Sequence, residues 1–161
     1  MSRSFRFEKR YSLGAAETFA VLSDPRFLEQ RARHMGSTDV VCAREDHPDG
    51  GVTLKLEESR QVPGKRAPLR STLTFRWTRS KIAEWSQRQH GYEDRSSAGG
   101  TVRIHDGQGA GCRVVVTGQL EIRVPLLGRM LERTVLAKIM QGQRKEAEFF
   151  EDWVLRQGLK R

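Results

Sequence analysis

Cysteine is almost missing from this chain: Cys42 and Cys112 are the two among 161 residues, and each stands in an alternating apolar pattern on a different predicted strand. So few, so placed, exclude a disulfide-built scaffold and suit reduced, buried thiols without a bridge. No apolar run approaches the roughly 18 to 20 residues that span a bilayer, and the N-terminus carries no signal-peptide hydrophobic region. A cytoplasmic protein with no transmembrane segment is expected. His34, His47 and His105 are isolated, and no spacing of His, Cys and carboxylates matches a metal site, so neither metal nor cofactor is expected. The strings G-x-S-x-G, H-E-x-x-H and a glycine-rich phosphate loop are absent too. Gly107, Gly109 and Gly111 mark a turn, because no strand-to-helix context follows them. Internal repeats, low-complexity tracts and linkers long enough to separate domains are also lacking.

What is abundant is positive charge. Lys and Arg number 29 against 20 Asp and Glu, a net charge of +9. Such an excess permits attraction to nucleic acid, anionic lipid or an acidic partner. The basic residues are scattered over solvent-side strand positions and turns, with no compact tract and no nucleic-acid motif, so no specific nucleic-acid partner is expected. Nothing in the chain specifies an oligomeric state.

The segment that organises the rest is the last one, from Pro125 to Gln157, which has the pattern of one long helix. Val135, Ile139, Gly142, Glu146, Phe149, Phe150 and Trp153 recur at spacings of three and four and share a stripe. Upstream, Phe5, Phe7, Tyr11 and Leu13 alternate with charged and polar residues as the inward row of a strand, broken only by Lys9. Two short helices follow. The first starts at Gly14-Ala-Ala-Glu17 and carries Phe19 and Leu22; the second has Asp24 as N-cap, Pro25 at its first position, and Phe27, Leu28, Arg31 and Met35 along it. Strands are predicted at Thr38–Glu45 and Val52–Ser59 around the turn residues His47 to Gly51, then from Leu69 to Thr78 and from Ile82 to Tyr92. Ser96 to Gly100 has turn composition and Thr101–His105 that of a short strand. The longest alternating run is Cys112 to Val124, where Gly118 suggests a bulge or bend. Hairpin-length links make the sheet largely antiparallel. The predicted fold is α+β, one domain over residues 1–161, with an antiparallel sheet wrapped around the C-terminal helix and two short helices after the first strand.

Several strings add a likeness to this pattern: Phe5 to Tyr11, Phe19-Ala-Val-Leu-Ser-Asp-Pro-Arg-Phe27, Trp85, Thr117-Gly-Gln-Leu120, Val124-Pro-Leu-Leu-Gly128 with Glu132, and Glu146 to Trp153. Together they resemble the START-like, helix-grip (SRPBCC) superfamily that includes polyketide cyclases and Bet v 1-type proteins, and within it the DUF2505 family. The resemblance covers nearly the whole chain, and its motifs are structural rather than catalytic. It implies a deep hydrophobic pocket between sheet and C-terminal helix, of the kind used for lipids, polyketides and other apolar small molecules.

The residues expected to line that pocket are Phe75, Trp77, Trp85, Val116, Leu120, Leu131, Val135, Ile139, Gly142 and Glu146. Each apolar one among them equally suits a filled core, since interiors are close-packed. Glu146 is the most informative, because a carboxylate on the apolar stripe needs a partner: it either pairs with a sheet cation for structural reasons or serves a site. Gly142 leaves room on the same stripe, for a ligand or for close packing. His90 and Tyr92, beside Glu84 if the segment is extended, form an acid–base candidate group; no catalytic residue is assigned. Three functions compete. Binding of an apolar small molecule in the cavity leads, ahead of a cyclase- or hydratase-type enzyme using the same cavity and a basic module touching nucleic acid or an anionic membrane.

Overall fold

The computed structural model describes residues 2–159. Aromatic and charged residues alternate along β1 (Arg3–Tyr11), so Phe5, Lys9 and Tyr11 point inward and are buried while Ser4, Glu8 and Arg10 do not. Two short helices follow, α1 (Ala15–Leu22) and α2 (Pro25–His34). Asp24 caps α2 by accepting from the Arg26 N–H at 2.9 Å, with Pro25 at the first position, where its missing N–H costs nothing. A meander then runs through β2 (Thr38–Asp46), β3 (Val52–Arg60), β4 (Leu69–Trp77), β5 (Ile82–Gln89), β6 (Ser96–Asp106) and β7 (Cys112–Ile122), and α3 (Gly128–Arg156) closes the fold.

The seven strands form one sheet in the order β1-β7-β6-β5-β4-β3-β2, every pairing antiparallel. Only the connection from β1 to β2, through α1 and α2, crosses the sheet, from one edge to the other. That step puts the chain's first strand beside its last, where α3 packs on both and on α2. This is the helix-grip arrangement expected from the order of elements.

Four local expectations change. α3 begins at Gly128 rather than Pro125, because Leu126 takes a left-handed φ of 66° and breaks the helical path before it starts. Ser96 to Gly100 is the start of β6, not a turn. The turn sits earlier, over Gly91 with φ 85° and the Tyr92 N–H bonded to the Gln89 carbonyl, so β5 stops at Gln89. Gly118 introduces no bulge, since β7 keeps an unbroken register with β1 and with β6. A Cβ there would lie 2.4 Å from the Phe5 ring and 2.7 Å from that of Trp85, so glycine makes the hollow in which the two rings meet, 6.1 Å apart. The register shift lies instead in β2, between Thr38 and Val41, where Asp39 has φ 50°.

The inward stripe of α3 is rotated by about one residue from its sequence reading. It runs through Glu132, Leu136, Ile139, Gln143, Glu146, Phe150 and Val154, with Phe150 and Val154 fully buried; Leu136 replaces Val135, and Val154 takes the innermost place expected of Trp153. Polar residues at 132 and 143 conceal this stripe from an apolar pattern.

Candidate ligand site between the sheet and the long helix

The C-terminal half of α3 meets a dry aromatic cluster. Phe150 stacks on Tyr11 at 3.9 Å and meets the edge of Phe27, which also touches Phe149 and Trp153. Glu151 ties this end to the β1–α1 link by accepting from the Ser12 N–H at 3.0 Å and hydroxyl at 2.7 Å.

Toward the N-terminal half the contacts thin out. Phe7, Leu73, Phe75 and Trp85 on the sheet's inner face, and Leu136 and Ile139 on α3, pack on the core yet stay half-buried. Solvent therefore still reaches apolar side chains on the sheet's inner face and on α3. At the end of this half Glu132, buried among β1, β7 and α3, accepts from the Ile122 N–H at 3.2 Å and lies 3.5 Å from Arg3. Before it Leu126 is 105% exposed, and Leu127 and Met130 are exposed as well.

Between the two halves sits a charged cluster drawn from three elements. Lys9 of β1 places Nζ 3.4 Å from Glu146 Oε2, and Arg31 of α2 donates from Nη1 to Oε1 at 3.1 Å. All three side chains are largely buried, and the Arg31 guanidinium also lies over the Phe75 ring, 6.0 Å from its centre. Burial pushes the Glu146 carboxyl up, but Lys9 and Arg31 override this and hold it below the usual carboxylate range. Burial lowers the Lys9 ammonium; Glu146 raises it and neighbouring Arg31 lowers it again, leaving it below an ordinary lysine. The two directions are consistent, because two cations compete for one carboxylate. Tyr11 is pushed well up, by burial first and then by Glu146. Gln143, one turn before Glu146 on the inward stripe, has its Oε1 buried with no hydrogen-bond partner among the described residues.

The ten expected lining residues separate accordingly. Phe75, Trp85 and Ile139 are half-buried against the core and Glu146 joins Lys9 and Arg31, whereas Val116 and Leu120 are buried in β7. Leu131 and Val135 are half-buried on α3, off its innermost stripe. Gly142 faces the tip of Met35, whose methyl would stand 3.2 Å from an added Cβ, so its missing side chain serves close packing. Trp77 is buried with Phe19 edge-on at 5.4 Å, and its indole N–H has no partner among the described residues. Two clefts lie elsewhere. One of about 370 Å³ opens beside the β2–β3 hairpin, lined by His47, Thr53, Arg76, Trp77 and Glu84, and one of about 310 Å³ runs between α2 and the end of α3, lined by Glu29, Phe149 and Trp153. Neither is the continuous apolar cavity expected beneath α3.

The acid–base group is not assembled. His90 bonds Thr72 at 2.8 Å, and Thr72 alternates with the inward Leu73 and Phe75, so His90 is on the outer face of the sheet, opposite Glu146. Tyr92 is half-buried, past the end of β5, and its hydroxyl pairs with Lys65 at 2.5 Å. Both cysteines are free, and burial raises the Cys42 thiol to about 11. Among the described residues no group of three or more His, Cys, Asp or Glu gathers to hold a metal ion, and no helix is long and apolar enough to cross a membrane.

Sequence and fold comparisons agree with this architecture. The model of a family described as protein of unknown function, DUF2505, matches residues 6–154. The chain belongs to the DUF2505 family. None of the curated proteins matches it. Among solved structures, this DUF2505 chain is similar to a Thermus thermophilus protein (18% identity, 96% of this chain and 98% of that one, TM-score 0.68). It is also similar to an aromatase/cyclase from Streptomyces (12%, 96% and 96%, TM-score 0.69) and a START superfamily protein from Mycobacterium smegmatis (11%, 94% and 98%, TM-score 0.63). At such identities the likeness concerns the fold, a sheet gripping a long C-terminal helix.

Proposed function

We propose that this DUF2505 protein binds an apolar small molecule, a lipid or an aromatic, polyketide-like compound, between the inner face of its sheet and the N-terminal half of α3. What supports this reading is a set of half-buried apolar side chains on the inner face of the sheet, Phe7, Phe75 and Trp85, and on the inward stripe of α3, Leu136 and Ile139. Apolar groups that face one another while still wet gain free energy when an apolar body displaces the water, about 25 cal/mol for each Å² covered. Cyclase neighbours of the same fold suit a site of this kind, and are compatible with an enzyme. His90 lies across the sheet from Glu146, so these two titratable groups do not converge on one space as such an enzyme would need.

The neutral dye phenylnaphthylamine, which brightens in apolar surroundings, tests the reading. The wild-type protein is expected to give saturable fluorescence that decanol displaces, and Ile139→Glu is expected to weaken it, since the carboxylate would be desolvated by the dye. Absence of saturation, or a titration that Ile139→Glu leaves unchanged, would overturn it.

A further inference from the structure

The space between helix and sheet carries more positive charge than its own walls answer. Lys9 and Arg31 come from different elements and converge on the single carboxylate of Glu146, leaving one surplus cation in largely buried surroundings. A desolvated charge is expensive unless paired, so a surplus of one sign is unusual in a cluster that exists only to hold elements together. Donors are in surplus too. Among the described residues Glu146 is the one protein acceptor these two side chains have, yet an ammonium and a guanidinium carry several further N–H groups. The rest of Arg31 is laid on the face of Phe75, a half-buried wall of the proposed site, so the guanidinium already borders the space.

We infer that the ligand is an amphiphilic anion, a carboxylate on an aliphatic or aromatic body, whose head lies against Lys9 and Arg31 while its body lies among Phe75, Trp85 and Ile139. This rests on the ligand-site reading above and adds the chemical class. The planar fork of Arg31 matches a carboxylate edge, and the Lys9 ammonium adds a second charge-assisted bond. Arrival of the head would bring the cluster to two positive and two negative charges. Gln143 Oε1, buried without a donor one turn away on the same stripe, supplies an acceptor for a hydroxyl on a ligand that carries one. A neutral molecule of the same shape would fill the apolar space and leave the surplus cation unanswered, so the site discriminates by head group.

Matched competitors provide the test: decanoate and decanol displacing phenylnaphthylamine from the wild-type protein at neutral pH. Decanoate is expected to bind roughly ten- to a hundredfold tighter than decanol, the range for bonds to a charged group. In Lys9→Met and in Arg31→Met the ratio of the two affinities collapses toward one, while Lys9→Arg preserves a clear preference. These variants are expected to fold, because removing either cation leaves the other paired with Glu146. Equal affinity of the two competitors for the wild-type protein would overturn the inference and leave the apolar site standing. A preference that survives both methionine substitutions would also overturn it, by placing the head group elsewhere. No displacement by either competitor, with no dye bound, would remove both readings together.

Discussion

Phe150 and Leu136 lie on the same face of the same helix, about four turns apart, and meet opposite surroundings. Phe150 is fully buried, stacked on Tyr11 and edged by Phe27, whereas Leu136 is half-buried across from a sheet whose own Phe75 and Trp85 are half-buried too. One continuous rod therefore acts as an anchor at its C-terminal end and as a cover at the other. The Lys9–Arg31–Glu146 cluster marks the boundary. The difference shows that a long amphipathic helix need not be used uniformly: dense aromatic packing is concentrated at one end, while the other packs more loosely.

Breaking the anchor should have the largest effect. Phe150→Ala is expected to cost about 3 to 5 kcal/mol in urea denaturation, the range for emptying a fully buried aromatic site. Next comes the boundary. Glu146→Gln leaves two buried cations facing one another without a counter-charge and should cost about 3 kcal/mol, while Lys9→Met, which leaves a balanced pair, should stay within about 1 kcal/mol of wild type. Equal costs for the two would contradict a cation surplus. The pH dependence has a definite sign. Because the folded Glu146 titrates below its unfolded value of about 4.3, its contribution is complete above that pH and is lost as pH falls through the folded value. The gap between wild type and Glu146→Gln should therefore close on acidification.

Smaller effects belong to the cover. Leu136→Ala, at a half-buried site, should cost about 1 kcal/mol, well under the anchor substitution, and weaken the apolar dye more than it weakens the fold. At the exposed start, Leu126 holds a left-handed φ of 66° with no packing to justify a side chain. Leu126→Gly should raise the melting temperature slightly, by the equivalent of about 1 kcal/mol or less.

Most of the fold was legible because its signals are local and repeated. Alternation placed β1, β3, β4 and β7, and Asp24-Pro25 announced α2 with the cap that forms. Gly118 and Gly99-Gly100 misled, because glycine is read as a turn or bend while here it serves close approach: a Cβ at Gly100 would be 2.0 Å from the Thr117 carbonyl. The site was only half visible. Lys9 broke the inward row of β1, Arg31 fell among apolar residues of α2, and Glu146 sat on the apolar stripe of α3, so each was conspicuous alone. What joined them is the crossing that brings β1 beneath α3, a long-range fact no local window contains. Gln143 went unnoticed, and Glu132 stood out only within a family string, because polar residues on an inward stripe carry no apolar signal. Gly142 was visible, but the Met35 methyl that fills its notch was not.

Hydrogen exchange along α3 tests the division most directly, read with and without a saturating apolar ligand such as decanol. Amides over residues 130–140 are expected to exchange faster than those over 147–155 in the free protein and to slow selectively when the ligand binds, because the ligand supplies the packing the cover lacks. Uniform protection along the free helix, or a ligand that slows only the C-terminal half, would contradict the account.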